Sequence, residues 1–161
     1  FSELTVLDNV KIAYDSHAKY SLVESVLRLG RYFKEEDEIT KKSLELLKIF
    51  KLEDKAYEVA KNLPYGAQRR LEIARALATK PKLLLLDEPM ENLDVYNEKL
   101  IQRILSDLKN KVTVIIIGHR LQTLKNADEL IYLQQGKLVD SEKIKDKINY
   151  FNEIIEGERS I

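Results

Sequence analysis

Leu83-Leu84-Leu85-Leu86-Asp87-Glu88-Pro89 is the stretch on which the fold of this chain turns. Four consecutive leucines run into two adjacent carboxylates and a proline. An apolar run this short predicts a strand buried on both faces, as the strands of parallel sheets are. Such a strand does not normally finish in two bare acids, because an unpaired buried charge is very costly. In open α/β sheets, ligands bind beyond the carboxyl ends of the parallel strands. A cation and a nucleophilic water both have a use for acids placed there. Taken alone, the heptad also fits a strand that ends in a solvated Asp-Glu turn. The flanking sequence argues against that.

Downstream, Asp94 predicts the cap of a helix carrying Leu100, Ile101, Ile104, Leu105 and Leu108 on one face. Asn110-Lys111 turns the chain into Val112–Ile117, which reads as a second buried strand. Strand, helix and strand with short links predict a right-handed βαβ unit. A short helix is expected over Leu121–Lys125, and a hairpin joins Leu130–Leu133 to Lys137–Val139 around Gln135-Gly136. Ile144, Ile148, Phe151 and Ile155 give the tail, Glu142–Glu156, an amphipathic helical pattern.

Upstream, Leu63-Pro64-Tyr65-Gly66 reads as a loop, because Pro64 discourages helix at Leu63 and Gly66 permits unusual dihedrals. A helix is expected from about Ala67 to Ala78, with Leu71, Ala74, Leu77 and Ala78 inward and Pro81 stopping it. The first 62 residues predict almost continuous helix, with no convincing strand and no internal repeat. Thr5 with Asp8 marks one start, followed by Val6, Val10, Ala13 and Tyr14. Ser21 with Glu24 marks another, leading through Val26, Leu27 and Tyr32. The charged run Lys34–Lys42 continues into a helix whose Ile39, Leu46, Leu47 and Phe50 share a face, and Asp54 is expected to cap a last short helix ending near Asn62.

Composition narrows the functional classes. At 161 residues the chain supports one domain with a proper core. Its 44% hydrophobic and 34% charged content is that of a globular protein with a busy surface. The 27 basic and 27 acidic residues cancel, so no global field draws nucleic acid or acidic lipid. With no cysteine, thiolate zinc sites, cysteine nucleophiles and disulfides are excluded. No apolar run approaches the roughly 18 residues of a membrane-spanning helix.

Three elements stand in order. They are the loop-helix Leu63-Pro64-Tyr65-Gly66-Ala67-Gln68-Arg69-Arg70-Leu71-Glu72-Ile73-Ala74-Arg75-Ala76-Leu77, the strand ending in Asp87-Glu88-Pro89 with Leu93-Asp94 after it, and the strand ending in Gly118-His119-Arg120. This ordered triple resembles the nucleotide-binding subunits of ABC transporters. The loop-helix resembles their signature motif, the acidic strand their Walker B motif, and His119 their switch histidine. The resemblance implies an α/β, P-loop NTPase-like fold with a parallel sheet core, incomplete here, and an N-terminal helical subdomain. It implies three segments: residues 1–64 as the helical subdomain, 65–140 as the Walker B and switch-histidine part with the signature helix, and 141–161 as a C-terminal helix.

The resemblance also implies ATP and Mg2+ as cofactors. Asp87 would hold the metal, and Glu88 would orient or deprotonate the attacking water. His119 would donate to the terminal phosphate. Leu63, Pro64, Tyr65, Gly66, Ala67, Gln68 and Asp94 would contact nucleotide held by the opposite subunit. The implied partners are a transmembrane permease subunit and a second ATPase subunit, identical or different, with no nucleic acid. The implied location is cytoplasmic, at the inner face of the membrane, reached only through a partner. The residues Arg69, Arg70 and Arg75, with Glu72 among them, are read as a solvated, ion-paired helix face.

A complete ATPase of this class needs a GxxxxGK[ST] phosphate loop. The five glycines, Gly30, Gly66, Gly118, Gly136 and Gly157, include no pair with that spacing and a following lysine. The expectation is therefore the C-terminal two-thirds of such a subunit, inactive or weakly active alone, as a natural fragment or an engineered piece. The strand Val112–Ile117 would then present an open edge prone to pairing with another chain. Pro64, Tyr65 and Ala67 depart from the usual serine, glycine and glutamine of the signature loop. The LPYG form and the LEIARALATKPKLLLLDEP run resemble the branched-chain amino-acid importer branch. After Met90, the ENLD and IIIGHRLQTLKNADELIYLQQGKLV stretches resemble exporter subunits. A hybrid joined near Met90 and a divergent member both fit. Two rivals stand beside the leading reading: a non-catalytic module that docks a permease or partner ATPase subunit, and, ranked low for want of coiled-coil or zinc insertions, a DNA-repair ATPase.

Overall fold

The computed structural model describes residues 1–15, 30–109, 111–118, 127–129 and 131–139. Helix α1, Val6–Asp15, opens at the expected Thr5–Asp8 pair. The Asp8 amide donates to Thr5 Oγ1 at 3.0 Å, and that hydroxyl donates to Asp8 Oδ2 at 2.6 Å. One orphan amide of the first turn is thereby satisfied. Val6 and Val10 are fully buried, with Ala13 and Tyr14 packed against the same core. Helix α2, Gly30–Ile49, carries the charged run outward and leads into Phe50. Ile39, Leu47 and Phe50 are buried, and Leu46 packs beside the core. Lys11 of α1 and Glu36 of α2 form an ion pair between the two helices. The helix expected from Ser21 lies largely outside the described residues.

Asp54 does not cap a helix running to Asn62. The segment instead forms two 3-10 turns, Glu53–Lys55 and Ala60–Asn62, and neither has a side-chain cap. Val59 between them is extended and bridges to Thr5, a strand-like pairing the sequence did not suggest. The cause is tertiary. The Val6 and Leu7 amides, orphans at the start of α1, donate to the carbonyls of Glu58 at 2.9 Å and Ala56 at 2.8 Å. The Ala60 amide donates to Leu4 O at 2.9 Å. A continuous helix would need those same groups internally.

Helix α3, Tyr65–Ala78, begins two residues before the expected Ala67. Pro64 precedes it with φ −56° and ψ 150°, a position where its missing N–H costs nothing. Leu71, Ala74 and Ala78 are buried as expected. The arginines, however, are not one solvated face. Arg70 is buried and donates to Phe50 O at 2.8 Å, Lys51 O at 3.3 Å and Gly66 O at 3.3 Å. Its guanidinium thus satisfies carbonyls just past the C-terminus of α2, where the helix dipole favours a cation. Burial lowers its pKa from the ordinary value, and the charges of Tyr96, Asp54 and Asp94 act in the opposite direction. Arg75 lies over the Phe1 ring, 5.0 Å from its centroid. Of the three, Arg69 keeps the expected ion pair, with Glu72 at 2.8 Å.

Strands β1, Leu83–Asp87, and β2, Thr113–Ile117, pair in parallel from Leu83 opposite Thr113 to Asp87 opposite Ile117. Helix α4, Val95–Asp107, connects them. Asp94 caps it as expected, accepting from the amides of Tyr96 at 2.9 Å and Asn97 at 3.0 Å. Ile101, Ile104 and Leu105 are buried. Neither strand is buried on both faces. Leu84 is buried, and Leu86, Val114 and Ile116 pack on the helical core. On the other face Leu83 is 53% exposed, Leu85 60%, Ile115 45% and Ile117 51%. Within residues 1–117 that face is left open, so the alternation of the pleat shows through an all-apolar run.

Compactness divides the chain into residues 1–117 and 118–161. Within the first of these, α1, the turns around Ala56 and Ala60, and α3 share one core. In the second unit β3, Tyr132–Gln134, pairs antiparallel with β4, Lys137–Val139. Gln135 at φ 50° and Gly136 at φ 74° form the expected tight turn between them. The helix expected at Leu121–Lys125 and the tail helix fall outside the described residues.

Three outcomes are expected from this packing. Arg70→Met, which keeps the stem but leaves the carbonyls of Phe50 and Lys51 without their donor, lowers unfolding free energy by roughly 2–3 kcal/mol in urea titration. Leu85→Thr with Ile115→Thr reduces concentration-dependent light scattering severalfold with little change in thermal midpoint, since threonine suits an exposed strand face. The third concerns pH. The side chain and then the backbone of Asn97 hold the Asp94 carboxyl below its ordinary range. A carboxyl whose folded pKa is depressed adds stability above its unfolded value of about 3.8 and loses it as pH falls through the folded value. Asp94→Asn, itself a good cap, flattens that acid limb in thermal melts taken below about pH 4.

Candidate functional site

The site is built at the carboxyl rim of β1 and β2. Asp87 ends β1 opposite Ile117, and the next amide, that of Glu88, donates to Ile117 O at 3.0 Å. The parallel pairing is thus carried one step beyond the strand. Glu88 is not extended: its φ is 44°, in the left-handed region that a non-glycine residue enters at a cost of order 1–2 kcal/mol. The turn closes when the Glu91 amide donates to Glu88 O at 3.1 Å. Pro89 and Met90 are buried beneath it. The Asp87 side chain is exposed, and Glu88 is half-buried.

The loop before α3 is ordered by its own side chain. Gln68 Nε2 donates to Leu63 O at 2.8 Å and Lys61 O at 3.4 Å. The Ala67 and Gln68 amides donate to Pro64 O at 2.9 Å and 3.0 Å. Leu63 and Ala67 are buried, while Pro64 and Tyr65 are exposed. Gly66 was expected for its backbone freedom, yet it sits inside the helix. Its missing Cβ instead leaves the room that the Asn97 side chain occupies. A Cβ there would lie 2.5 Å from Asn97 Cγ and 2.9 Å from Asn97 Oδ1, nearer still to Nδ2. Asn97 Nδ2 in turn bonds the Asp94 carboxylate. The starts of α3 and α4 therefore meet through one glycine, one amide and one capping acid.

Two of the three sequence elements are brought together, and the link is a residue that sequence reasoning left on the surface. Arg69 Nη2 donates to Asp87 O at 2.7 Å and to Glu88 O at 3.2 Å. Its Nη1 holds Glu72. Nothing in the spacing of the sequence signalled this reach from the first turn of α3 to the end of β1. Asn97 was missed for the same reason. The third element, His119, lies outside the described residues.

Among the described residues, no group of three or more His, Asp or Glu side chains is gathered to hold a metal ion. Asp87 and Glu88 offer carboxylate oxygens, the kind of ligand a hard cation such as magnesium takes. No helix among the described residues is long and apolar enough to cross a membrane.

Comparison with known proteins agrees with this geometry. Residues 1–91 match the family model described as ABC transporter. The chain is 34% identical over 145 residues to the phosphate import ATP-binding protein PstB of Saccharolobus solfataricus, covering 87% of this chain and 51% of that protein. It is 31% identical over 135 residues to the high-affinity branched-chain amino acid transport ATP-binding protein LivG of Salmonella typhimurium, covering 83% and 53%. Over 83 residues it is 45% identical to the multidrug resistance-like ATP-binding protein MdlB of Buchnera aphidicola, covering 52% and 14%. The chain thus spans about half the length of the first two relatives. Among solved structures, a nucleotide-free ATP-binding cassette from an ABC transporter superposes with a TM-score of 0.70 at 27% identity, over 92% of this chain and 60% of that one. A dimeric cassette in a post-hydrolysis state bound to ADP and phosphate gives 0.69 at 29% identity, over 87% and 56%. With a family model matched over more than half its length and the cassette fold around its acidic strand, the chain belongs to the ABC transporter family and to the P-loop NTPase-like α/β class.

Proposed function

We propose that this chain supplies the acidic rim and the signature loop of an ATP-hydrolysing transport subunit, and that it completes a nucleotide site only with residues beyond its own. The observation that carries the proposal is the pairing of Asp87 with Ile117 and of the Glu88 amide with Ile117 O, which supports two carboxylates at one sheet rim. Glu88 accepts the proton of a water that attacks the terminal phosphorus of ATP, and the bond to the bridging oxygen breaks to give ADP and phosphate. Asp87 holds magnesium directly or through water. When bound, the metal neutralises charge on the phosphate oxygens. His119, two residues after Ile117 in the chain, is proposed to donate to the terminal phosphate.

The segment Leu63–Gln68, with Gly66 close against Asn97, is proposed to cap ATP held by a second ATPase subunit. Asp94 serves that contact by fixing the start of α4. The helical segment 1–64 is proposed to dock a transmembrane permease, which places the chain at the cytoplasmic face of a membrane through that partner alone. The division into 1–64, 65–140 and 141–161 is kept on these functional grounds. For cargo, the LPYG-to-LEIARAL run and the likeness to LivG favour branched-chain amino acids as the first solute to test.

Alone, the chain is expected to show no magnesium-dependent ATP turnover above buffer. Supplied with a polypeptide bearing a GxxxxGK[ST] loop, it gains turnover, and Glu88→Gln lowers kcat about 10²–10⁴-fold while leaving MgATP binding in place. Both are read by phosphate release and by fluorescent nucleotide titration. Turnover that survives Glu88→Gln returns the chain to the class of non-catalytic docking modules.

A further inference from the structure

We propose that Arg69 is the positioning residue for Glu88, holding the general base in its left-handed backbone and tying it to the first turn of the signature helix. This inference rests on the proposed role of Glu88. One guanidinium nitrogen grips two consecutive carbonyls, Asp87 O at 2.7 Å and Glu88 O at 3.2 Å. Those carbonyls flank the Glu88 Cα, so both peptide planes that define its φ and ψ are held from one point. The other nitrogen is held by Glu72 Oε2 at 2.8 Å, which fixes the plane of the fork. From the opposite side the Glu88 amide is held by Ile117 O at 3.0 Å. A left-handed glutamate persists only where its surroundings over-determine it, and these bonds are that over-determination.

The placement of the arginine gives the grip its meaning. Arg69 lies three residues after Gly66, on the same helix, α3. A displacement of the helix start reaches the Glu88 backbone through one side chain and no intervening loop. Lysine cannot take over the role in full, because a point ammonium lacks the planar fork that holds two carbonyls and Glu72 at once. The Arg69–Glu72 pair is partly exposed and contributes little to stability by itself, so removing Arg69 acts on the turn far more than on the fold.

The test uses the intact 161-residue chain and reads two quantities by NMR. The first is amide hydrogen exchange. Arg69→Gln is expected to speed exchange at Glu88 about tenfold, with Arg69→Lys between it and the wild type. Leu84–Leu86 in β1 and Ile101 in α4 keep their wild-type rates. Equal acceleration at all of these sites is general destabilisation and overturns the proposal, as does an unchanged Glu88 rate. Should Arg69→Gln not fold, Arg69→Lys alone decides by the same comparison. The second quantity is the broadening of side-chain signals by millimolar Mn2+, used in place of magnesium. In the wild type Asp87 and Glu88 both broaden, and in Arg69→Gln the Glu88 effect falls at least twofold while that of Asp87 stays. If neither residue broadens in the wild type, the metal role of Asp87 fails while the exchange result on Arg69 still stands. If both broaden and Arg69→Gln changes neither, the positioning role fails alone.

Discussion

The short parallel ladder between β1 and β2 is the constraint on which the rest of this molecule depends. Its register is fixed by burial. Leu84 and Leu86 on one strand, and Val114 and Ile116 on the other, must face the helical core together. A slip by one residue would turn the outward set inward. Once the register is fixed, Asp87 lies opposite Ile117 and the Glu88 amide has a single carbonyl to meet. The location of the acids therefore follows from leucine packing several residues away. No interaction among the acids themselves is needed to set it.

A second constraint joins the helices to this sheet. The carbonyls of Phe50 and Lys51 lie just past the C-terminus of α2, and the buried one of Phe50 would be costly left unpaired. Arg70 answers both with one group, and its third bond returns to Gly66 O in its own helix. A buried cation held by carbonyl dipoles in this way fixes the angle between α2 and α3 more sharply than apolar side chains do, since misaligned hydrogen bonds weaken steeply. Its neighbour Arg69 performs the analogous task at the other end, on the carbonyls of Asp87 and Glu88. Adjacent arginines thus fasten one helix to two different elements.

Much of this was legible in the sequence. Local signals served well: Thr5–Asp8, Asp94 and Gln135-Gly136 each act within a few residues, and each stands where the pattern placed it. The βαβ order needed only the two apolar runs and the helix between them. What sequence could not show was long-range. The segment Asp54–Asn62 has helical periodicity, but the orphan amides of α1 claim its carbonyls. Arg69 and Arg70 read alike as surface, because their acceptors lie 18 to 20 residues away in the chain. Gly66 reads in the sequence as a loop glycine, whereas in the fold it lies inside α3. What stands against it is the side chain of Asn97, a residue on another helix.

The one-sided sheet leaves half of its apolar side chains without a covering layer among the described residues. Its inner face packs on the helical core, with Leu84 buried and Leu86, Val114 and Ile116 partly so. Its outer face carries Leu83, Leu85, Ile115 and Ile117, which in water lose the benefit that burial gives an aliphatic side chain. An all-leucine strand is what selection for burial on both faces produces. The sequence of β1 is therefore matched to a second layer, one that the described residues do not provide. Burying that face against another apolar surface would recover the benefit that its four aliphatic side chains lose to water.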